Sequence, residues 1–237
     1  GGGEEEEEMK GKLIVLEGTD GTGKTTQVGL MAQRLEGAGV PFRQVKFPRY
    51  GSPFAAPVER YLLGDLGTRP GDVSAYAAST LYAVDRYASY RQEWREEYEG
   101  GKLILADRYT TSNAVHQAPK LPEEERWTYL NWLFDLEYNR LALPEPDLMI
   151  YLDLPAEISA QMLRLRQEAT HTKADIHEQD GAYLRACRES ARDIAGRLGW
   201  KVVDCSRAGA MRTPEDIHEE LWALVQPLTK CGGDGSA

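Results

Sequence analysis

Gly18-Thr19-Asp20-Gly21-Thr22-Gly23-Lys24-Thr25 is an unbroken G-x-x-x-x-G-K-[ST], and this stretch decides the fold. Glycines let a backbone curl until successive N–H groups point at phosphate oxygens. In such a loop the lysine ammonium reaches the β- and γ-phosphates, and the closing hydroxyl ligates Mg²⁺. The flanking residues supply the context that the loop needs. Before it, Leu13-Ile14-Val15-Leu16-Glu17 is a strand pattern. After it, Val28, Met31, Ala32 and Leu35 fall at i, i+3, i+4 and i+7, a helix that Gly37 and Gly39 stop. That helix turns its positive end toward whatever anion the loop holds.

Further out, apolar β-prone runs recur at Lys12–Leu16, Phe42–Phe47, Lys102–Ala106, Leu148–Leu152 and Lys201–Val203, with helical patterns between them. Such alternation builds βαβ units around a mainly parallel sheet covered on both faces. Asp72 is positioned to cap a long helix that Gly100-Gly101 ends, with Ser79, Tyr82, Ala83 and Arg86 on one face. Thr213-Pro214-Glu215-Asp216 has a capping threonine, a proline at the first helical position and an acid at the third, so the last helix starts there.

Leu103-Ile104-Leu105-Ala106-Asp107 ends an apolar strand on a carboxylate. In an enzyme with this loop, that pattern carries the Mg²⁺ ligand at the carboxyl edge of the sheet. Met149-Ile150-Tyr151-Leu152-Asp153 fits the same outline, but Pro155 follows it and no cation adjoins it. Asp107 is therefore the preferred metal residue, together with Thr25. Arg108 comes next, where a guanidinium can fork across two phosphates.

The chain has 237 residues, 41% of them hydrophobic and 28% charged, ordinary for one sizeable α/β domain. No run approaches the 18 or so apolar residues of a membrane span. Net charge is −10, half of it from Glu4 to Glu8. This balance opposes a general nucleic-acid surface, which would be basic. Residues 1–8 read as a disordered acidic extension, 9–230 as one domain and 231–237 as a flexible Gly-rich tail. Cys187, Cys205 and Cys231 are widely spaced without a C-x-x-C pair, so reduced thiols are expected, as in the cytoplasm.

With these residues in hand, the chain resembles thymidylate kinases of the bacterial type, from about Lys10 to Pro227. The most specific pieces are Leu16–Gln27, Tyr82-Ala83-Val84-Asp85-Arg86, Asp107-Arg108-Tyr109-Thr110-Thr111-Ser112-Asn113 and Tyr151-Leu152-Asp153. The resemblance implies a three-layer P-loop kinase fold, with a mainly parallel five-stranded sheet, helices on both faces and a lid at about 164–180. It implies ATP and dTMP as substrates, Mg²⁺ as cofactor, and a homodimer. Gly18, Thr19, Asp20, Gly21, Thr22, Gly23, Lys24, Thr25 and Thr26 would hold the ATP phosphates, with Arg207 against the adenine. Asp20 would hold the acceptor's 3′-hydroxyl, Tyr82 would stack on thymine, and Arg86 would bond the base edge. Arg49, after Phe47-Pro48, would contact the acceptor phosphate, and Gln117 would line its pocket. Lys24, Asp107 and Arg108 would carry catalysis with a lid cation. The lid reads Asp175-Ile176-His177-Glu178, without the arginine usual there, so that cation is expected from Arg164, Arg166 or Lys173.

Physical chemistry agrees with a phosphate acceptor. A phosphate monoester with a second pKa of about 6 is already a nucleophile near neutrality, so cations rather than a base are needed. A deoxynucleoside kinase would place a glutamate after the second strand and Glu-Arg-Ser after the third, where Phe47-Pro48-Arg49 and Asp107-Arg108-Tyr109 stand. That enzyme and other nucleoside monophosphate kinases are the alternatives. A regulatory GTPase needs N-K-x-D, and the sequence has none. Trp127, Tyr129, Trp132 and Phe134 belong either to a subunit interface or to the core.

Overall fold

The computed structural model describes residues 10–19, 21–172 and 181–230. Five parallel strands form one sheet: β1 (Leu13–Glu17), β2 (Phe42–Lys46), β3 (Leu103–Asp107), β4 (Leu148–Asp153) and β5 (Lys201–Asp204). Their spatial order is β2-β3-β1-β4-β5, so β1 is central and β3 and β4 flank it. Register places Leu16 beside Asp107 and Glu17 beside Tyr151. The carboxyl ends of the three middle strands therefore meet at one edge, where ligands bind in open α/β sheets. A two-stranded antiparallel hairpin, β6 (Ser206–Arg207) and β7 (Ala210–Met211), follows β5.

Alternating side chains feed two cores, because both faces of the sheet are covered. Ile14, Leu16, Leu103, Leu105, Ile150 and Leu152 pack against Val28, Met31 and Leu35 of α1 (Lys24–Gly37). Ile217, Leu221 and Val225 of the C-terminal helix close that layer. Leu13, Val15, Ile104 and Ala106 face the other way, onto Phe47, Trp94 and Tyr109. Each aliphatic side chain so buried contributes roughly 1.5–3 kcal/mol of transfer free energy.

Helices α2 (Ala56–Leu62) and α3 (Ala75–Ser89) follow β2. The expected cap at Asp72 is corrected. Ser74 caps α3, its Oγ accepting from Ala77 N at 3.0 Å, because Val73 is extended and interrupts the turn before it. Asp72 instead accepts from Arg69 N at 3.0 Å in a preceding 3₁₀ turn. After α3 a π-helical turn, Tyr90–Trp94, leads into α4 (Arg95–Glu99), which stops at Gly100 as expected. The anticipated face of α3 is inward: Ser79, Tyr82, Ala83 and Arg86 are all buried.

The remaining helices are α5 (Thr110–Gln117), α6 (Glu123–Phe134), α7 (Ala156–Thr170), α8 (Gly181–Leu198) and α9 (Pro214–Val225). Thr213 Oγ1 accepts from Asp216 N at 3.2 Å, the expected start of α9. The beginning of the anticipated lid is the end of α7, while 173–180 lie outside the described residues. So do the acidic extension and the C-terminal tail. Among the described residues, no helix is long and apolar enough to cross a membrane.

Candidate active site

The phosphate loop turns between β1 and α1 with the backbone its glycines permit. Gly21 has φ 89° and Gly23 φ 79°, a left-handed region costly for other residues. A Cβ on Gly21 would also meet Ser159 O at 2.7 Å. Gly23 occupies the N-cap of α1, where no side chain caps the helix and no acid lies in its first turn. Among the described residues, no side chain accepts from the leading amides of α1, which suits an anion. Met211 of the hairpin approaches to 3.6 Å of the place a Gly23 Cβ would take. Thr25 and Thr26 open α1 and are exposed, and Asp20 lies outside the described residues.

Lys24 and Asp107 come together across 83 residues of sequence. Lys24 Nζ lies 2.5 Å from Asp107 Oδ1, with both side chains buried. Asp153 has different company: Arg188 grips it at 2.9 and 3.2 Å, and Arg192 pairs with it as well. Its carboxylate anchors α8 to β4, and Asp107 is the one facing the phosphate-loop lysine. Arg108 follows with φ 66° and donates Nη1 to Glu17 Oε1 at 3.0 Å and to Ser112 Oγ at 3.2 Å.

Beside the loop opens a cavity of about 250 Å³. Lys24, Lys46, Arg86, Arg108 and Arg166 line it, and no described carboxylate does. Its walls include Tyr82, His116 and Gln117, with Thr25 at the loop side. Three of the five already face buried carboxylates, Lys24 with Asp107, Arg86 with Glu137 and Arg108 with Glu17. The cavity wall is thus a cluster of cationic donors with countercharges behind it, a surface suited to an anion.

Tyr82 packs edge-on against Tyr61, ring centroids 6.2 Å apart, and Arg86 lies on the same face of α3. Arg86 is 1% exposed, and Glu137 holds it bidentately at 2.5 and 2.8 Å. It also donates to Asn113. Burial pulls the Arg86 guanidinium down, but the Glu137 carboxylate more than offsets this, and its pKa is raised. Lys120 donates to Tyr61 Oη at 2.9 Å, and burial pushes its ammonium down to about 8. Gln117 is fully buried in the cavity wall, and among the described residues neither its Oε1 nor its Nε2 has a hydrogen-bond partner. An orphaned amide costs roughly 1–3 kcal/mol of desolvation, so a ligand that bonds it recovers that energy. Gln117→Leu is expected to stabilise the free protein while raising the KM for the acceptor about tenfold. Thermal melting and initial rates check this, and a lower Tm with an unchanged KM would contradict it.

Arg49 is not part of this wall. Its Nε and backbone N–H both donate to Asp85, at 2.8 and 2.9 Å, and Nη1 pairs with Glu93 at 2.9 Å. Two acids on the helical rod beginning at α3 hold it there in the free protein, outside the residues that line the cavity. Lys46, three residues earlier at the end of β2, reaches the cavity instead. Of the three lid candidates, Arg166 lines the cavity, Arg164 is exposed and does not, and Lys173 lies outside the described residues. Arg207 projects from the hairpin, 72% exposed, with Asp216 at 3.5 Å.

Sequence reasoning missed Lys46, Glu137 and Glu17. Glu137 is fully buried and also accepts from Thr110 Oγ1 at 2.9 Å. Glu137→Gln removes the countercharge of a buried guanidinium and is expected to cost about 3 kcal/mol of stability. Urea unfolding checks this, and an unmoved midpoint would refute it. A signal for Lys46 was available, since it ends a strand whose carboxyl edge faces the loop.

The parallel sheet, the phosphate loop and the cation-lined cavity beside it define a P-loop kinase. The sequence model of the family described as Thymidylate kinase matches residues 16–218. The chain belongs to the thymidylate kinase family. The thymidylate kinase of Mycobacterium tuberculosis is 31% identical over 218 residues, covering 86% of this chain and 99% of that one. A probable thymidylate kinase of Pyrococcus horikoshii is also 31% identical over 218 residues, covering 92% and 97%. A solved thymidylate kinase of Candida albicans superposes with a TM-score of 0.64 at 20% identity, covering 92% of each chain, and shares the fold. Bacterial, archaeal and fungal proteins are all among the matches, so the family is established without its bacterial type being singled out.

Proposed function

We propose that this enzyme transfers the γ-phosphoryl of ATP to dTMP, giving dTDP and ADP. The observation that carries this is the cavity lined by five cations and no described carboxylate, opening beside the phosphate loop. Such a lining suits a dianionic acceptor, which needs no base, and suits a neutral hydroxyl poorly. A dTMP phosphate oxygen attacks in line. The new O–P bond forms as the bond from Pγ to the bridging oxygen breaks, and ADP leaves with that electron pair.

Lys24 moves its charge from Asp107 to the β/γ-phosphates, and the leading amides of α1 bind the phosphate chain. Arg108 and Arg166 offset the repulsion between the two anions. Tyr82 stacks on the thymine, Arg86 and Gln117 bond its edge, and Asp20 takes the sugar 3′-hydroxyl. Arg207 lies against the adenine. Mg²⁺, when bound, supplies further neutralisation of the phosphates, held by Thr25 and Asp107. Its fit rests on donor chemistry: a hydroxyl and a carboxylate are hard oxygen ligands, and Mg²⁺ commonly takes only one or two from protein. Among the described residues no cluster of three His, Cys, Asp or Glu side chains stands ready to cage a metal.

The assay is ADP release from Mg·ATP across a panel of nucleoside monophosphates and thymidine. Fastest turnover with dTMP is expected. No conversion of any pyrimidine deoxynucleotide would end the proposal, and preference for thymidine would make the enzyme a nucleoside kinase.

The homodimer is proposed on a different surface from the tryptophan-rich helix. Tyr129 is fully buried, whereas Trp127, Trp132 and Phe134 are half-buried, so of these four side chains α6 gives Tyr129 wholly to the core. The exposed apolar face is formed by Phe54, Val84 and Tyr87, 42%, 52% and 41% exposed, around a hollow completed by Leu136 and Leu141. Contiguous apolar patches of this kind mark interaction sites. Val84→Arg is expected to convert a dimer to monomer in analytical ultracentrifugation, and a dimer unaffected by it would discard this face.

A further inference from the structure

Glu17 ends β1, immediately before the phosphate loop, and is fully buried. Four donors converge on its carboxylate. Oε1 accepts from Arg108 Nη1 at 3.0 Å and from Gly18 N at 3.2 Å. Oε2 accepts from Ser112 Oγ at 2.6 Å and from Thr111 Oγ1 at 3.2 Å. A carboxylate offers about four lone-pair sites, so these partners satisfy it.

A buried anion beside an anion-binding cavity opposes its ligand by charge alone. Its placement therefore calls for a compensating role, and the convergence of its partners supplies one. Gly18 belongs to the phosphate loop, Arg108 to the turn after β3, and Thr111 and Ser112 to α5, whose end carries Gln117. Arg108 has a left-handed backbone, costing about 1–2 kcal/mol for a residue with a side chain, and its N–H is held by Leu16 O at 3.0 Å. The backbone thus fixes where the side chain begins. A guanidinium is planar with its donors in a fixed fork, so pinning Nη1 fixes the direction of the others.

We propose that Glu17 is a positioning residue that aims the Arg108 guanidinium into the acceptor cavity and locks it to the phosphate loop. Donor and acceptor sites then share one rigid joint, and a misaimed Arg108 fails in the transition state. This rests on the dTMP kinase reading and adds to it a residue that touches no substrate.

A double-mutant cycle on the whole enzyme tests it, with steady-state kinetics at varied dTMP and varied ATP. Glu17→Gln is expected to lower kcat/KM for dTMP by about 10²-fold, the scale of an ångström-level misplacement, chiefly through kcat. The KM for ATP should stay nearly unchanged. In an Arg108→Ala background the same substitution should cost at least tenfold less, because the group it positions is gone. Losses that multiply, with a KM for ATP rising in step, would mean a merely structural carboxylate and overturn the proposal. Should Glu17→Gln fail to fold by circular dichroism, the cycle is run with Thr111→Val, which removes the 3.2 Å donor to Glu17 Oε2, lies outside the cavity lining and keeps the charge. A drop of about tenfold that vanishes without Arg108 supports the proposal, and one that persists refutes it. A wild-type enzyme inactive on every monophosphate would instead sink the functional reading itself.

Discussion

Lys24→Ala is expected to lower kcat for dTMP phosphorylation by roughly 10³-fold while leaving a cooperatively folded protein. The ammonium is 8% exposed and sits at the junction of the phosphate loop, β3 and the cavity, where little water screens it. Charge developing on the transferred group meets it in a low-dielectric setting, so its loss is felt chiefly in the transition state. The same substitution strands Asp107, which is 2% exposed and pairs with Lys24 at 2.5 Å. A lower Tm should accompany the loss of rate, and adding Asp107→Asn should restore the Tm without restoring turnover. Rapid-quench measurement of ADP formation and thermal melting follow the two effects separately. Near-normal turnover would remove Lys24 from the mechanism.

Arg108→Ala should lower kcat/KM for dTMP by about 10³-fold, the low end of what arginines contribute to phosphoryl transfer. Two features make this loss larger than that of a surface arginine. Its side chain lines the cavity, and its guanidinium is held in place by Glu17 and Ser112 before any ligand arrives. Arg108→Lys restores a charge but not a planar fork, and should recover only a small part of the rate. Since the acceptor phosphate is where Arg108 acts, the KM for dTMP should rise, with the KM for ATP much less affected. Equal losses on both substrates would place Arg108 elsewhere, and an unimpaired variant would refute the assignment.

The sequence alone determined the layered α/β architecture, because both of its signals are local. Glycines at fixed spacing before Lys24 dictate the loop, and apolar runs such as Leu103–Ala106 dictate strands whatever surrounds them. Asp107 and Arg108 were legible for the same reason, since a charged residue at the end of a buried strand has only the sheet edge to occupy. Partner choice was not legible. The acids that hold Arg49 in the free protein lie 36 and 44 residues later, and Glu137 lies 51 residues beyond the Arg86 it holds. Asp72 misled for a smaller reason: a capping residue announces a turn, and only the extended Val73 decided which turn each cap served. Periodicity fixes which face of an element is buried, whereas the packing of distant elements fixes which charge meets which. Tertiary structure alone therefore selected Lys46 and Arg166 for the cavity and gathered Arg108, Thr111 and Ser112 around Glu17.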